Sequence, residues 1–197
     1  MFMTPRKIVF VVKSNTAVTA PTFSPRSPAS SGGRLDVMLR SIIVALLDPS
    51  GVRRHVDFYA ILGGPPNPPI TLHFIGEDIA EMPFSENELA KIVLKVLRGD
   101  KIRGVELLKK DLIDCIKDLI REGYKLYYMH EKGKLIDCSY LRNPAKVGFI
   151  LGDQQGLNTA DERALKSMQI EMLSLGRTAY LTSICVTAIL YLLYRCL

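Results

Sequence analysis

The sequence carries no G-x-G-x-x-G after a strand and no Walker-type lysine motif, so the common helix-borne cradles for a phosphate chain are excluded. Its four cysteines, Cys115, Cys138, Cys185 and Cys196, form no C-x-x-C, and its three histidines, His55, His73 and His130, lack ligand spacing. A zinc site is therefore not expected, nor a disulfide scaffold in a domain of this size. No leader with a basic start, an apolar centre and a cleavage site opens the chain, because residues 1–15 read as a short strand. The longest apolar run, residues 181–197, is broken by Thr182, Ser183, Thr187 and Arg195. It falls short of the roughly 20 residues that span a bilayer, and a helix apolar all round belongs more often to a core or a subunit interface. These absences imply a reducing, cytoplasmic setting without metal or membrane. A C-terminal tail anchor is the alternative.

What is present suits a globular enzyme or binding module. The 197 residues are 48% apolar, enough for one large domain or two small ones. No repeat and no compositional boundary divides them, so residues 1–197 read as a single domain. The net charge of +6 is uneven: residues 1–65 hold eight Lys and Arg against three Asp. A basic N-terminal segment suits a polyanion such as RNA, and it equally serves solubility.

The order of elements points to an α/β fold. Residues 7–12 (KIVFVV) form a buried strand. Residues 14–33, rich in Ser, Thr, Pro and Gly, form a long loop, and a loop of that length is usually functional. A helix follows over 35–47, then strands over 55–62 and 70–75 separated by GGPPNPP. Ser85 with Glu88 marks a capping box and a helix to about residue 97. Residues 104–123 read as a second amphipathic helix through Leu107, Leu108, Leu112, Ile116 and Leu119. Thr159 caps a short helix through Met168. Such alternation indicates a mainly parallel sheet flanked by helices.

Three apolar strands near the C-terminus each run into a glycine-bearing turn: residues 125–133 (KLYYMHEKG), 147–156 (VGFILGDQQG) and 170–176 (IEMLSLG). The last leads into the helix RTAYLTSICVTAILYLLY. Ligands of open α/β sheets bind beyond the carboxyl ends of the strands, so the three turns predict one composite pocket. Its residues are small or apolar rather than cationic, which favours a nucleoside without phosphates, such as S-adenosylmethionine.

GFILGDQQGL followed by IEMLSLGRTAYLTSIC resembles the C-terminal knot region of SPOUT-class methyltransferases. GRLDVMLRSIIVALL is similar to the helix start of one branch, the archaeal tRNA (pseudouridine-54 N1)-methyltransferases. The resemblance covers essentially the whole chain. It implies a C-terminal deep trefoil knot, S-adenosylmethionine as cofactor, tRNA as partner and a homodimer. It assigns the cofactor to Met129, to Gly152 and Asp153, to Leu175, Gly176, Arg177, Thr178, Ala179 and Tyr180, and to Cys185 as a pocket wall. Two departures bear on target choice: Gly32 replaces a serine and Ile184 replaces a histidine. A related branch that methylates ribosomal RNA and a non-catalytic RNA-binding knot protein are the alternatives.

Asp36 is the sharpest candidate for chemistry. The N1 of pseudouridine must lose a proton to attack a methyl group, and a carboxylate in reach accepts it. The same residue also fits a plain structural role, since it lies in the first turn of a helix with Arg40 at i+4. Arg34 beside it is assigned to an RNA phosphate or the base carbonyl. Arg26, Arg53 and Arg54 are weaker candidates for phosphate contacts. Cys185 needs no nucleophilic role, because nitrogen attacks directly.

Overall fold

Val9, Phe10, Val11 and Val12 have no exposed surface, as expected of a β-branched run buried on both faces. Their strand is the middle of the sheet in this computed structural model, which describes residues 7–142 and 144–196. Arg6 of the basic segment, the start of the expected first strand and Leu197 lie outside the described residues.

The elements are β1 (Lys7–Ser14), α1 (Pro28–Ser31), α2 (Leu35–Leu46), β2 (Leu47–Asp48), β3 (Gly51–Val52), β4 (Val56–Leu62), β5 (Ile70–Ile75) and α3 (Glu86–Leu97). They continue with β6 (Val105–Leu108), α4 (Leu112–Arg121), β7 (Lys125–Leu135), α5 (Cys138–Arg142), β8 (Lys146–Gly152), α6 (Thr159–Ser167), β9 (Glu171–Ser174) and α7 (Thr182–Arg195). Seven strands form one sheet in the order β6-β5-β4-β1-β8-β7-β9. β4 and β8 pair with β1 in parallel, β7 pairs in parallel with β8 and β9, and β5 and β6 are antiparallel additions at the far edge. The α/β class with a mostly parallel sheet is thus observed.

One face of the sheet packs Phe10, Phe58, Phe74 and Phe149 against residues of α2, α3 and α7. The other packs Val9, Val11 and Ile150 against Leu112, Ile116 and Leu119 of α4 and Leu165 of α6. No helix among the described residues is long and apolar enough to cross a membrane. α7 packs against α2 and buries Val186, Ile189, Leu190 and Leu193. At about 1.5–3 kcal/mol for each such side chain, that burial holds the helix on the protein without a bilayer.

Several local expectations are corrected. Residues 105–108 are strand, not helix: Leu107 and Leu108 fit a helical stripe with Leu112, but they pair with Leu72 and Thr71 of β5. The following helix starts at a complete capping box of Asp111 and Asp114. Ser85 accepts from the Glu88 amide, which is one half of the expected capping box; the return bond from the Glu88 side chain is not formed among the described residues. The cap of α6 is Asn158, whose Oδ1 accepts from the Asp161 amide, one residue before the expected Thr159. α7 begins at Thr182, so residues 177–181 are loop. β7 does not end at Gly133; it bulges between Met129 and Lys134, which both pair with Leu173.

A disulfide joins Cys138 of α5 to Cys196 at the end of α7, contrary to expectation. The two lie 58 residues apart with Cα atoms 5.3 Å apart, because the last turn of α7 lies on the short helix α5, which the sequence pattern did not reveal. Cys115 and Cys185 are free thiols.

Candidate functional site

The middle of β7, where its bulge begins, and the carboxyl ends of β8 and β9 surround a cavity of about 260 Å³. Met129, Gly152, Asp153, Leu175, Gly176, Thr178, Ala179, Tyr180 and Cys185 line it, together with Tyr128, His130, Glu131, Leu151, Gln154–Gly156 and Thr182. The structure therefore brings nine of the ten expected cofactor residues to one cavity. Arg177 is the exception: it lies in the third turn but does not line the space.

Local bonds explain why the turns hold their shape. The Asp153 amide donates to the Lys13 carbonyl, so the second turn is tied to the end of β1. The Asp153 Oδ1 accepts from the Gln155 amide at 2.9 Å, and its Oδ2 is buried without a partner among the described residues. Gly156 has φ 74° and folds back on Gly152. A Cβ at Gly152 would lie 2.4 Å from the Gly156 carbonyl carbon. Ser174 Oγ accepts from the Gly176 amide and donates to its carbonyl, closing the third turn. Thr182 Oγ1 donates to the Gly152 carbonyl at 2.9 Å and pins the start of α7 to the end of β8. A Gly152→Ala variant is accordingly expected to lose S-adenosylmethionine affinity by roughly tenfold or more, about 1.4 kcal/mol per tenfold. Titration calorimetry checks this, and wild-type affinity would contradict the assignment.

One wall is polar, which the sequence reading missed. Tyr128 donates its hydroxyl to Glu162 Oε1 at 2.9 Å, and burial together with that carboxylate pushes its pKa up. His130 Nδ1 accepts from the Lys132 amide at 3.1 Å, and its Nε2 lies 3.9 Å from Glu162 Oε1. The pair of tyrosines in KLYYMH gave the available signal, but Glu162 stands 34 residues on and no spacing joins them. Lys13 and Asp161, next to Glu162, form a partly buried ion pair at 2.5 Å. Cys185 donates weakly to the Tyr180 carbonyl, and burial raises its thiol pKa. A thiol raised above its usual range is a poor nucleophile at neutral pH, in keeping with a wall residue.

Arg34 and Asp36 are not among the lining residues of this cavity. Arg34 precedes α2 in a left-handed conformation, φ 73° and ψ 25°, which costs a non-glycine residue about 1–2 kcal/mol. Its Nη2 lies 3.2 Å from Asp36 Oδ2, and Arg40 Nη2 lies 3.9 Å from the same oxygen. Asp36 is only 6% exposed. Its Oδ1 and the Arg34 Nε are buried without partners among the described residues, and such orphaned groups are costly unless something else fills them.

The segment 14–19 connects the two sites. Thr16 Oγ1 donates to the Gly33 carbonyl at 2.8 Å, and the Val18 amide donates to the Gly32 carbonyl. Asn15 Nδ2 reaches the Gly156 carbonyl at 3.4 Å on the cofactor side. The expected loop is thus anchored, with Ala17, Thr19 and Phe23 buried.

Arg53 and Arg54 leave the list of phosphate contacts. Arg53 Nη1 donates to the carbonyls of Val44, Ala45 and Leu47 and so caps the end of α2. Arg54 donates to the carbonyls of Gly76, Glu77, Ile79 and Ala80. Both guanidinium groups are bonded to backbone carbonyls of the protein itself. Arg53→Ala is expected to lower stability by about 1–2 kcal/mol while leaving the salt dependence of RNA affinity unchanged. Parallel urea melts and binding isotherms test this; a flattened salt slope would restore Arg53 to the RNA surface. Arg26 is exposed and stays available.

Residues 8–195 match the family described as "Putative SAM-dependent RNA methyltransferase". A Thermococcus kodakarensis protein named tRNA (pseudouridine(54)-N(1))-methyltransferase is 35% identical over 187 residues, covering 88% of this chain and 92% of its own. A Methanococcus maripaludis protein of the same name is 32% identical over 174 residues, covering 85% of this chain and 88% of its own. Nep1 of Archaeoglobus fulgidus, solved bound to S-adenosylhomocysteine, superposes with a TM-score of 0.72 at 13% identity over 97% of this chain and 98% of that one. That likeness shows the fold. The match over nearly every residue of the sheet and both sites places the chain in the family of SAM-dependent RNA methyltransferases.

Proposed function

We propose that this protein methylates N1 of pseudouridine at position 54 in the TΨC loop of tRNA, with S-adenosylmethionine as donor. The observation that carries the reading is the pairing of two sites through one anchored segment. The backbone-rich cavity at the bulge of β7 and the ends of β8 and β9 lies on one side, and the Arg34–Asp36 pair with its orphaned buried atoms on the other. The names borne by the relatives at 32–35% identity support the choice of target.

The cavity suits the donor on its own chemistry. Met129, Leu151, Leu175 and Ala179 offer apolar surface, Gly152 and Gly156 permit close backbone approach, and Asp153 keeps one carboxylate oxygen without a partner among the described residues. S-adenosylmethionine, when bound, supplies an electrophilic methyl group. The rest falls to this chain's residues. Asp36 accepts the N1 proton of the base, and Arg34 holds a phosphate or base carbonyl beside it. The turns hold the two reactants together, and positioning supplies most of the acceleration. The base must be unstacked from its loop to be reached.

The same reading assigns the C-terminal segment to a trefoil knot within one domain, and the protein to a cytoplasmic homodimer. Leu181 just before α7, and Ile184, Tyr191 and Tyr194 along it, are exposed. An apolar face of that kind supports a subunit interface. Mass spectrometry of tRNA and ribosomal RNA after incubation with labelled donor tests the function. Label on the TΨC-loop pseudouridine is the expected result. Label confined to ribosomal RNA would move the protein to the other branch.

A further inference from the structure

The turn between β4 and β5 is longer and stiffer than its job requires. Antiparallel neighbours can be joined by two residues, yet here seven residues, GGPPNPP, intervene between Leu62 and Ile70. Four of them are prolines, which fix φ and carry no N–H. The turn is bolted to segment 14–19. The Gly63 amide donates to the Ser14 carbonyl and the Gly64 amide to the Ala17 carbonyl, each at 2.8 Å. A Cβ at Gly64 would lie 2.3 Å from the Thr16 carbonyl oxygen, so only glycine fits. Thr19 is 3% exposed and makes three bonds to the turn. Its amide donates to the Pro65 carbonyl, its hydroxyl donates to the Gly64 carbonyl, and the same hydroxyl accepts the Asn67 amide at 2.8 Å.

That last bond decides the chemistry of the tip. Between Pro65 and Pro69 the one backbone N–H belongs to Asn67, and Thr19 has taken it. The side-chain carboxamide of Asn67 is then the sole donor the tip offers. It is exposed and has no protein partner among the described residues. A single donor–acceptor pair is thus presented to solvent from a fixed backbone beyond the carboxyl end of β4. β4, β1 and β8 are successive neighbours, so this end lies about 10 Å along the sheet from the end of β8 that lines the cofactor cavity. Segment 14–19, which anchors the turn, also holds Gly33 ahead of Arg34 and Asp36 and touches Gly156 of the cofactor turn.

We propose that Asn67 determines which base enters the site, by pairing its carboxamide with the N3–H and O4 of the target pseudouridine. The inference rests on the functional reading above. A carboxamide presents one acceptor and one donor side by side, which matches an imide N–H beside a carbonyl. The N3–C4 edge of the ring lies opposite N1. A base gripped there keeps its N1–H edge free for Asp36 and the methyl donor. The prolines and the Thr19 bonds fix the backbone that carries the amide, so little of the chain has to be ordered when RNA arrives.

The test compares stem–loops carrying pseudouridine or 3-methylpseudouridine at the target position, with methyl transfer and RNA affinity both measured. Wild type is expected to prefer the unblocked base by roughly 10- to 100-fold, the range for one bidentate base contact. Asn67→Ala is expected to lose a similar factor on pseudouridine and to treat the two RNAs alike. Its S-adenosylhomocysteine affinity and melting temperature should match wild type, which a merely structural role would not allow. Asn67→Asp keeps the shape, replaces the donor with a second acceptor, and should lose at least as much. A wild type indifferent to N3 methylation overturns the proposal, and so does an Asn67→Ala variant that still discriminates. A wild type that binds the cofactor analogue but methylates neither RNA instead sinks the functional reading, and this inference with it.

Discussion

Asp36→Asn is expected to abolish methyl transfer, by roughly 10²- to 10⁴-fold, while S-adenosylmethionine binding stays at the wild-type level. The two roles available to Asp36 differ by magnitude. As a helix-dipole partner and an ion pair with the half-exposed Arg34 and Arg40, it contributes about 0–1 kcal/mol of stability, and the isosteric amide would be nearly silent in turnover. As the acceptor of the N1 proton it is indispensable, since an amide has no useful basicity. Single-turnover rates with saturating donor separate the two roles. Near-wild-type turnover would return Asp36 to a structural part and leave the proton to another group. The environment favours the chemical role. A carboxylate only 6% exposed with one oxygen unpartnered is an expensive way to hold a helix end that a serine could cap.

Reduction of the Cys138–Cys196 bond is expected to cost about 2–4 kcal/mol, toward the upper end because 58 residues separate the two cysteines. For a chain of this length that corresponds to a fall in Tm of roughly 5–15 °C. Differential scanning calorimetry with and without dithiothreitol measures it directly. Cys138→Ser and Cys196→Ser should melt together, at the temperature of reduced wild type, and should no longer respond to reductant. Equal Tm values for oxidised and reduced wild type would show that the link holds nothing the packing of α7 does not already hold. β8, α6 and β9 lie between the linked cysteines, so cofactor affinity measured near the transition should fall in step with stability.

Much of this architecture was legible from periodicity. β1, β4 and β5 announce themselves by β-branched runs, and α2 and α3 by their apolar stripes. The strand-end turns at Met129, Gly152 and Leu175 pointed to a shared pocket on the general rule for open sheets. What escaped is non-local. Leu107 and Leu108 satisfy a helical stripe as well as a strand, and only the exposed edge of β5 decides between them. Residues 177–181 continue the composition of the apolar helix without being part of it. The disulfide depends on a five-residue helix, α5, too short to leave a periodic signature. Arg53 and Arg54 looked like RNA ligands because charge is visible in a sequence and unsatisfied carbonyls are not. The Thr19 bonds to the proline turn join residues 45 and 48 positions apart. No local pattern encodes them.

The position of β8 has a consequence for synthesis of the chain. β4, β5 and β6 join β1 early, but the strand that bridges β1 to β7 emerges only with residues 146–152. A nascent chain that stops before that point carries a four-stranded half-sheet in which one whole edge of β1, with its apolar run Ile8–Val12, faces outward without a ladder partner. Unpaired edges of that kind recruit other strands. Ribosome-bound or truncated forms lacking the last quarter should therefore be the aggregation-prone species, and the residues that protect the edge of β1 belong to the same late-made segment that completes the donor cavity.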